Sequence, residues 1–179
     1  FGLDKTTVKF FSQAMLPAFS TDGKMLLASK SSLALSPNGH GGSLKALIDS
    51  GALADMKERG VEHLSYFQVD NPLVSVIDPL FLGLHLLKQS DVSSRSLTKT
   101  GPFEKLGNFV LVGEEMTIVE YSDLDEDKAQ ERDAEGRLRY RAGSPAIHLM
   151  RADFLAQFAD STLKLPYHRA DKKVPFIDA

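Results

Sequence analysis

Ser36-Pro37-Asn38-Gly39-His40-Gly41-Gly42-Ser43-Leu44 closes an apolar strand and opens a helix, and the reading of the whole chain turns on it. Gly39, Gly41 and Gly42 carry no side chain that would keep a ligand away from the backbone. Leu44, Leu47 and Ile48 follow at the i, i+3, i+4 spacing of a buried helix face. This predicts a helix over residues 43–49, with the N–H groups of Gly41, Gly42 and Ser43 at its start. A flat or anionic group fits such a place. The same residues also make an ordinary strand-to-helix turn, because glycine and asparagine are common turn formers. Local pattern leaves both readings open.

Upstream, residues 8–11 form a short strand candidate, and residues 15–19 and 24–28 flank Ser20-Thr21-Asp22-Gly23, a hairpin turn signal. Gln13 precedes that hairpin, and a strand over 32–35 delivers the chain to the glycine loop. Downstream, a second helix is expected over 53–59, stopped by Gly60. Residues 61–69 read as a strand ending in Gln68-Val69-Asp70-Asn71-Pro72. In open α/β sheets ligands bind outside the carboxyl ends of strands, where a carboxylate such as Asp70 can hold Mg²⁺ through its oxygens. Asp70 and Asn71 equally suit a turn cap before Pro72.

Asp78-Pro79 is a helix start, and residues 80–88 are apolar nearly all round, which predicts a buried helix. Residues 92–98 read as an edge-like strand, 107–112 and 116–121 as a hairpin around Gly113-Glu114-Glu115, and 123–135 as a solvated, charged helix or excursion. Residues 137–140 alternate like a strand. Ala142-Gly143-Ser144-Pro145 reads as a turn into the apolar residues 146–150, and 151–159 as an amphipathic helix. The basic tail offers His168, Lys172 and Lys173 to an anion. Strands alternating with helices predict an α/β domain with a largely parallel sheet and added antiparallel hairpins.

Composition narrows the function. A chain of 179 residues, 42% hydrophobic and 25% charged, suits one globular domain with a sizeable core. A net charge of -3 with scattered basic residues provides no footprint for nucleic acid. The absence of cysteine excludes disulfides and thiolate metal sites and favours a reducing compartment, here taken as cytoplasmic. The five histidines are too far apart for a sequence-local zinc motif. The longest apolar run, residues 80–87, is well short of the roughly 18 residues of a membrane helix. A small-molecule partner is expected, and Phe1 at the start suggests a piece of something longer.

Five motifs occur in order: Phe11-Ser12-Gln13-Ala14-Met15-Leu16-Pro17-Ala18, Pro37-Asn38-Gly39-His40-Gly41-Gly42, Val69-Asp70-Asn71 with Asp78-Pro79, Val119-Glu120-Tyr121-Ser122, and His168-Arg169-Ala170-Asp171-Lys172-Lys173-Val174-Pro175. Their sequence and gaps resemble the UTP-dependent sugar-1-phosphate uridylyltransferases, and most of all the UDP-N-acetylglucosamine (UDP-N-acetylhexosamine) pyrophosphorylase branch. The resemblance runs over essentially the whole chain. It implies a Rossmann-like nucleotidyltransferase fold with a mixed, mostly parallel sheet. It also implies a reaction in which the sugar phosphate oxygen attacks the α-phosphorus of UTP and pyrophosphate leaves.

Carried onto this chain, the resemblance makes Gln13 and Gly39 uracil contacts and Asp70 the carboxylate for Mg²⁺ and ribose. His40 stands beside the sugar and α-phosphate, so Asp70 and His40 are the catalytic candidates. Asn71, Gly107, Glu120 and Ser144 join His40 around the sugar, and Lys172 and Lys173 meet phosphate. His40 and Ser144 stand where the eukaryotic N-acetylglucosamine enzymes place asparagine, and histidine at the first position resembles the UDP-glucose and UDP-sugar relatives. A UDP-glucose enzyme and a catalytically inactive nucleotide-sugar binding module are the alternatives. The family's glycine-rich triphosphate loop and a downstream phosphate-binding lysine have no counterpart in residues 1–179. The chain is therefore expected to be the central portion of one catalytic domain, and poorly active or inactive alone.

Overall fold

A computed structural model describes residues 2–159, 169, 171 and 173–177. The chain divides into two compact units, one of Phe1–Glu62 with Ala152–Ala179 and one of His63–Arg151.

In the first unit a 3-10 turn at Lys5–Thr7 is followed by irregular backbone in place of the strand expected over 8–11. Strand β1 (Met15–Pro17) pairs antiparallel with β4 (Leu35–Pro37), and β2 (Leu27–Ser29) with β3 (Ser32–Leu33). The expected turn is present: Gly23 N–H donates to Ser20 O at 3.0 Å, and Phe19 bridges Met25. Helix α1 (Gly39–Asp49) starts four residues earlier than its apolar face suggests. Glycine at the helix start permits this, since Gly39 takes φ +80°, which side chains disfavour. Helix α2 (Ala52–Glu58) ends at Gly60, whose φ is +72°. Leu47, Leu53 and Leu155 are buried in the described core, the last from α5 (Ala152–Ala156).

The second unit holds two sheets. One has the order β5 (His63–Tyr66), β11 (His148–Arg151), β6 (Val92–Ser94); the other β7 (Leu97–Thr98), β10 (Ala142–Ser144), β8 (Gly107–Val112), β9 (Glu115–Val119). Every strand pair among the described residues is antiparallel, so the largely parallel sheet is corrected. The reason is local. β5 and β6 run in the same direction with helix α3 (Pro79–Leu87) between them in sequence, yet β11 inserts between the two and runs against both. The strand–helix–strand alternation survives without a parallel pair.

Two further expectations change. Ala142–Ser144 is a strand rather than a turn, because Gly143 pairs on both edges, with Leu97 and with Asn108. Helix α3 is capped as expected, with Asp78 Oδ1 accepting from Leu80 N–H at 2.9 Å and Phe81 N–H at 3.0 Å. It is not buried, however: His85 is its buried residue, while Leu80, Leu84, Leu86 and Leu87 are exposed. A nine-residue helix apolar on every side offers more surface than a three-stranded sheet can cover. The charged region 123–135 contains the short helix α4 (Glu126–Gln130).

Candidate nucleotide and sugar residues

In the first unit, Gln13 lies in the extended segment before β1, which aligns beside the end of β4 through the Met15–Pro37 pair. Its Nε2 donates to Asn38 Oδ1 at 2.8 Å and to the Gly39 carbonyl. Asn38 therefore spends its side-chain oxygen on Gln13, and its side chain makes no capping bond to α1. The first four N–H groups of a helix lack intrahelical acceptors; Asn38 N–H donates to Ala14 O, so residues 39–41 present donors at the start of α1. Gly42 makes room for the Asn38 side chain over that start: a Cβ there would lie 1.7 Å from Asn38 Oδ1. His40 is exposed in the first turn, and its carbonyl accepts from Ser43 Oγ at 2.6 Å. Gln13, Gly39 and His40 are thus gathered around one loop-to-helix junction. Asn38, which ties the first to the second, was not singled out from sequence; a polar N-cap residue facing a lone glutamine was the available signal.

In the second unit, strand pairing brings Gly107, Glu120 and Ser144 together. Ser144 pairs with Gly107 across β10 and β8, while Asn108 opposite Val119 sets Glu120 just beyond β9. A Cβ on Gly107 would come 2.6 Å from Ile118 Cγ2 and 3.8 Å from both Glu120 Oε1 and Ser144 Cβ. The Ile118 methyl therefore packs over the Gly107 backbone, with the Glu120 carboxylate and the Ser144 side chain at its edge. A carboxylate and a hydroxyl on neighbouring strands can orient the hydroxyls of a sugar.

Asp70 is displaced from its expected place at a strand terminus. β5 stops at Tyr66, and Asp70 is exposed in a turn closed by Asn71 N–H donating to Gln68 O at 3.2 Å. The turn is held by Asn71, whose Oδ1 accepts from Leu73 N–H at 3.2 Å, so Asn71 caps as its alternative reading required. No hydrogen bond or ion pair engages the Asp70 carboxylate among the described residues. Nor do three or more His, Cys, Asp or Glu side chains group there to hold a metal. A lone carboxylate does suit Mg²⁺ shared with substrate phosphates, which needs only one or two protein oxygens. In the tail Lys173 is exposed, whereas His168 and Lys172 lie outside the described residues.

Beneath Gly107, Asn108 and Lys99 are buried, and Lys99 Nζ donates to Asn108 Oδ1 at 2.8 Å and to Pro102 O at 3.1 Å. Burial pushes the Lys99 ammonium below the ordinary lysine range, and the nearby Glu104 opposes that shift. Neither residue was anticipated, because nothing in sequence separates a buried lysine from a surface one.

A family model described as UTP–glucose-1-phosphate uridylyltransferase matches residues 1–173. The chain belongs to this family. Among its relatives, a probable UDP-N-acetylglucosamine pyrophosphorylase of Schizosaccharomyces pombe is 41% identical over 181 residues, covering 99% of this chain and 38% of that protein. UDP-N-acetylglucosamine diphosphorylase 2 of Arabidopsis thaliana is 40% identical over 182 residues, with 99% of this chain and 36% of that protein covered. The crystal structure of a UDP-N-acetylglucosamine pyrophosphorylase described from Entamoeba histolytica superposes with a TM-score of 0.85 at 36% identity, over 100% of this chain and 44% of that one. The chain spans less than half the length of these relatives. Its α/β fold is that of the UDP-sugar pyrophosphorylases, and no helix among the described residues is long and apolar enough to cross a membrane.

Proposed function

We propose that the full-length protein is a uridylyltransferase that joins UTP to N-acetylglucosamine 1-phosphate, releasing pyrophosphate and UDP-N-acetylglucosamine. The grouping of Glu120 and Ser144 beside Gly107 carries the reading, because a carboxylate and a hydroxyl on neighbouring strands can bind the hydroxyls of a sugar. The names of relatives about two fifths identical over nearly the whole chain support it.

In this reading Gln13 and Gly39 hold the uracil, Gln13 being fixed by Asn38 and Gly39 allowing close approach. His40, an imidazole in the first turn of α1, acts beside the α-phosphate. Asp70 meets the ribose and, with the substrate phosphates, would hold Mg²⁺, which when bound neutralises phosphate charge. Asn71, with Oδ1 spent on its turn, offers its amide donor to the sugar. Lys173 and Lys172 meet phosphate. The sugar phosphate oxygen attacks the α-phosphorus in line and the bond to pyrophosphate breaks, so no protein nucleophile is required. The resemblance to larger pyrophosphorylases supports a Rossmann-like nucleotidyltransferase architecture for the whole protein, with this chain its central portion. The lack of cysteine fits a cytoplasmic enzyme.

Glucose 1-phosphate is the second reading, favoured by Ser144, which presents a hydroxyl where an acetamido group would gain more from a carboxamide. Calorimetric titration of the full-length protein with UDP-N-acetylglucosamine and UDP-glucose separates the two. Tighter binding of the first supports the proposal, and tighter binding of the second replaces the sugar.

A further inference from the structure

The three candidate sugar residues share a feature on the opposite face of their sheet. Adjacent residues of a strand point to opposite faces, so Asn108 lies beneath Gly107. It is fully buried, and its Nδ2 donates to Val119 O at 3.2 Å, the carbonyl just before Glu120. Its Oδ1 accepts from Lys99 Nζ at 2.8 Å. Lys99 in turn lies against Gly143, the residue before Ser144: a Cβ on Gly143 would come 3.2 Å from Lys99 Cγ. Lys99 N–H also donates to Arg141 O at 2.8 Å, fixing the approach to β10. Gly107, Glu120 and Ser144 are therefore each next in sequence to Asn108 or to a residue that Asn108 or Lys99 touches.

We propose that Lys99 and Asn108 form a buried polar bolt that positions Gly107, Glu120 and Ser144 for the sugar; both are positioning residues of the proposed uridylyltransferase reaction. A buried cation is costly, and an apolar pair of similar volume would serve stability alone as well or better. What the polar pair adds is direction. Hydrogen bonds fix the separation of β8, β9 and the start of β10, whereas apolar side chains tolerate small sliding. A shift on the order of 1 Å is enough to degrade a binding constellation.

The inference rests on the sugar-site reading, and the test is built to separate the two. In the full-length protein, Lys99→Met, Asn108→Leu and the double variant are compared with Glu120→Gln. The readouts are KM for N-acetylglucosamine 1-phosphate, KM for UTP, and Tm. Lys99→Met strands Asn108 Oδ1, Asn108→Leu leaves Lys99 Nζ with the Pro102 carbonyl alone, and both lower Tm. In the double variant Tm recovers toward the parent, while KM for the sugar phosphate stays raised about tenfold and KM for UTP moves less than about twofold. Should the single variants not fold, the double variant carries the comparison alone. Recovery of the sugar KM together with Tm would show that the pair serves stability only and would overturn the proposal. If Glu120→Gln leaves the sugar KM unchanged, the sugar site itself is misplaced and the bolt has nothing to position. If Glu120→Gln raises it and the double variant does not, the positioning role alone fails.

Discussion

Gln13 Nε2 reaches across 25 positions of chain to Asn38 Oδ1 at 2.8 Å, and so fastens the segment before β1 to the first turn of α1. Asn38→Ala removes one of the two acceptors of the Gln13 amide, leaves it the Gly39 carbonyl alone, and so loosens its orientation. The expected outcome is a loss of nucleotide affinity of about tenfold, or ~1.4 kcal/mol, with a smaller change in Tm. Calorimetric titration of the full-length protein with UDP checks it. An unchanged Kd would mean that Gln13 does not depend on Asn38 to meet its ligand.

Gly39 takes φ +80°, with nothing within 4 Å of the place where a Cβ would stand. Space is available, so the penalty for a side chain is backbone strain, roughly 1–3 kcal/mol for valine. Gly39→Val should lower Tm and also obstruct uracil. Gly39→Asn tolerates the left-handed conformation better and should recover most of the stability without recovering nucleotide affinity. Recovery of both would assign Gly39 to the turn alone.

Asp70 supports no element of the fold through its carboxylate, whereas its neighbour Asn71 caps the turn. Asp70→Asn should therefore leave Tm nearly unchanged and reduce Mg²⁺-dependent turnover of the full-length protein on the order of a hundredfold or more. A melting transition lowered by several degrees with turnover retained would make Asp70 structural.

His85 is 1% exposed, with Nδ1 at 2.8 Å from Ser93 Oγ and Nε2 at 3.2 Å from His63 Nδ1. Burial first, then the His63 and Arg151 charges, push its pKa below the ordinary histidine value, and Asp91 opposes them. The folded state thus prefers neutral His85, and the unfolded chain binds the extra proton. The stabilisation is fully present above pH about 6.5 and is lost as pH falls through that value toward the lower folded pKa. Amide protection factors in β5, β6 and β11, which correct for the slower intrinsic exchange at low pH, should fall between pH 7 and 5, and His85→Gln should flatten that dependence. An identical slope in the variant would place the proton elsewhere.

How far the sequence carried depends on the range of the interaction. Asp78-Pro79, Gly60 and the Gly113 turn were legible because capping and positive φ act within a few residues. The β8–β9 hairpin was legible for the same reason. The direction of the sheets was not, because β11 pairs with β5 more than 80 positions away in sequence and its register is set by tertiary contacts. Ala142–Ser144 misled because glycine, serine and proline favour turns locally, while two flanking strands supply the hydrogen bonds that make it a strand. The exposure of Leu80 and Leu84 was hidden because hydropathy reports the wish to be buried and not the area available to bury against. Among the site candidates, the motifs contained Gln13, Gly39 and Glu120, and the family resemblance added Ser144. The residues that hold them in place, Asn38, Lys99 and Asn108, became visible only with their distances.

Product formation is the most direct test of the proposed activity. The full-length protein is incubated with UTP, Mg²⁺ and either N-acetylglucosamine 1-phosphate or glucose 1-phosphate, and pyrophosphate and UDP-sugar are both quantified. The expected result is equimolar pyrophosphate and UDP-N-acetylglucosamine, with kcat/KM higher for the N-acetylated sugar phosphate. Higher kcat/KM for glucose 1-phosphate would overturn the sugar assignment, and binding of UDP-sugar without any pyrophosphate release would overturn the assignment as an enzyme.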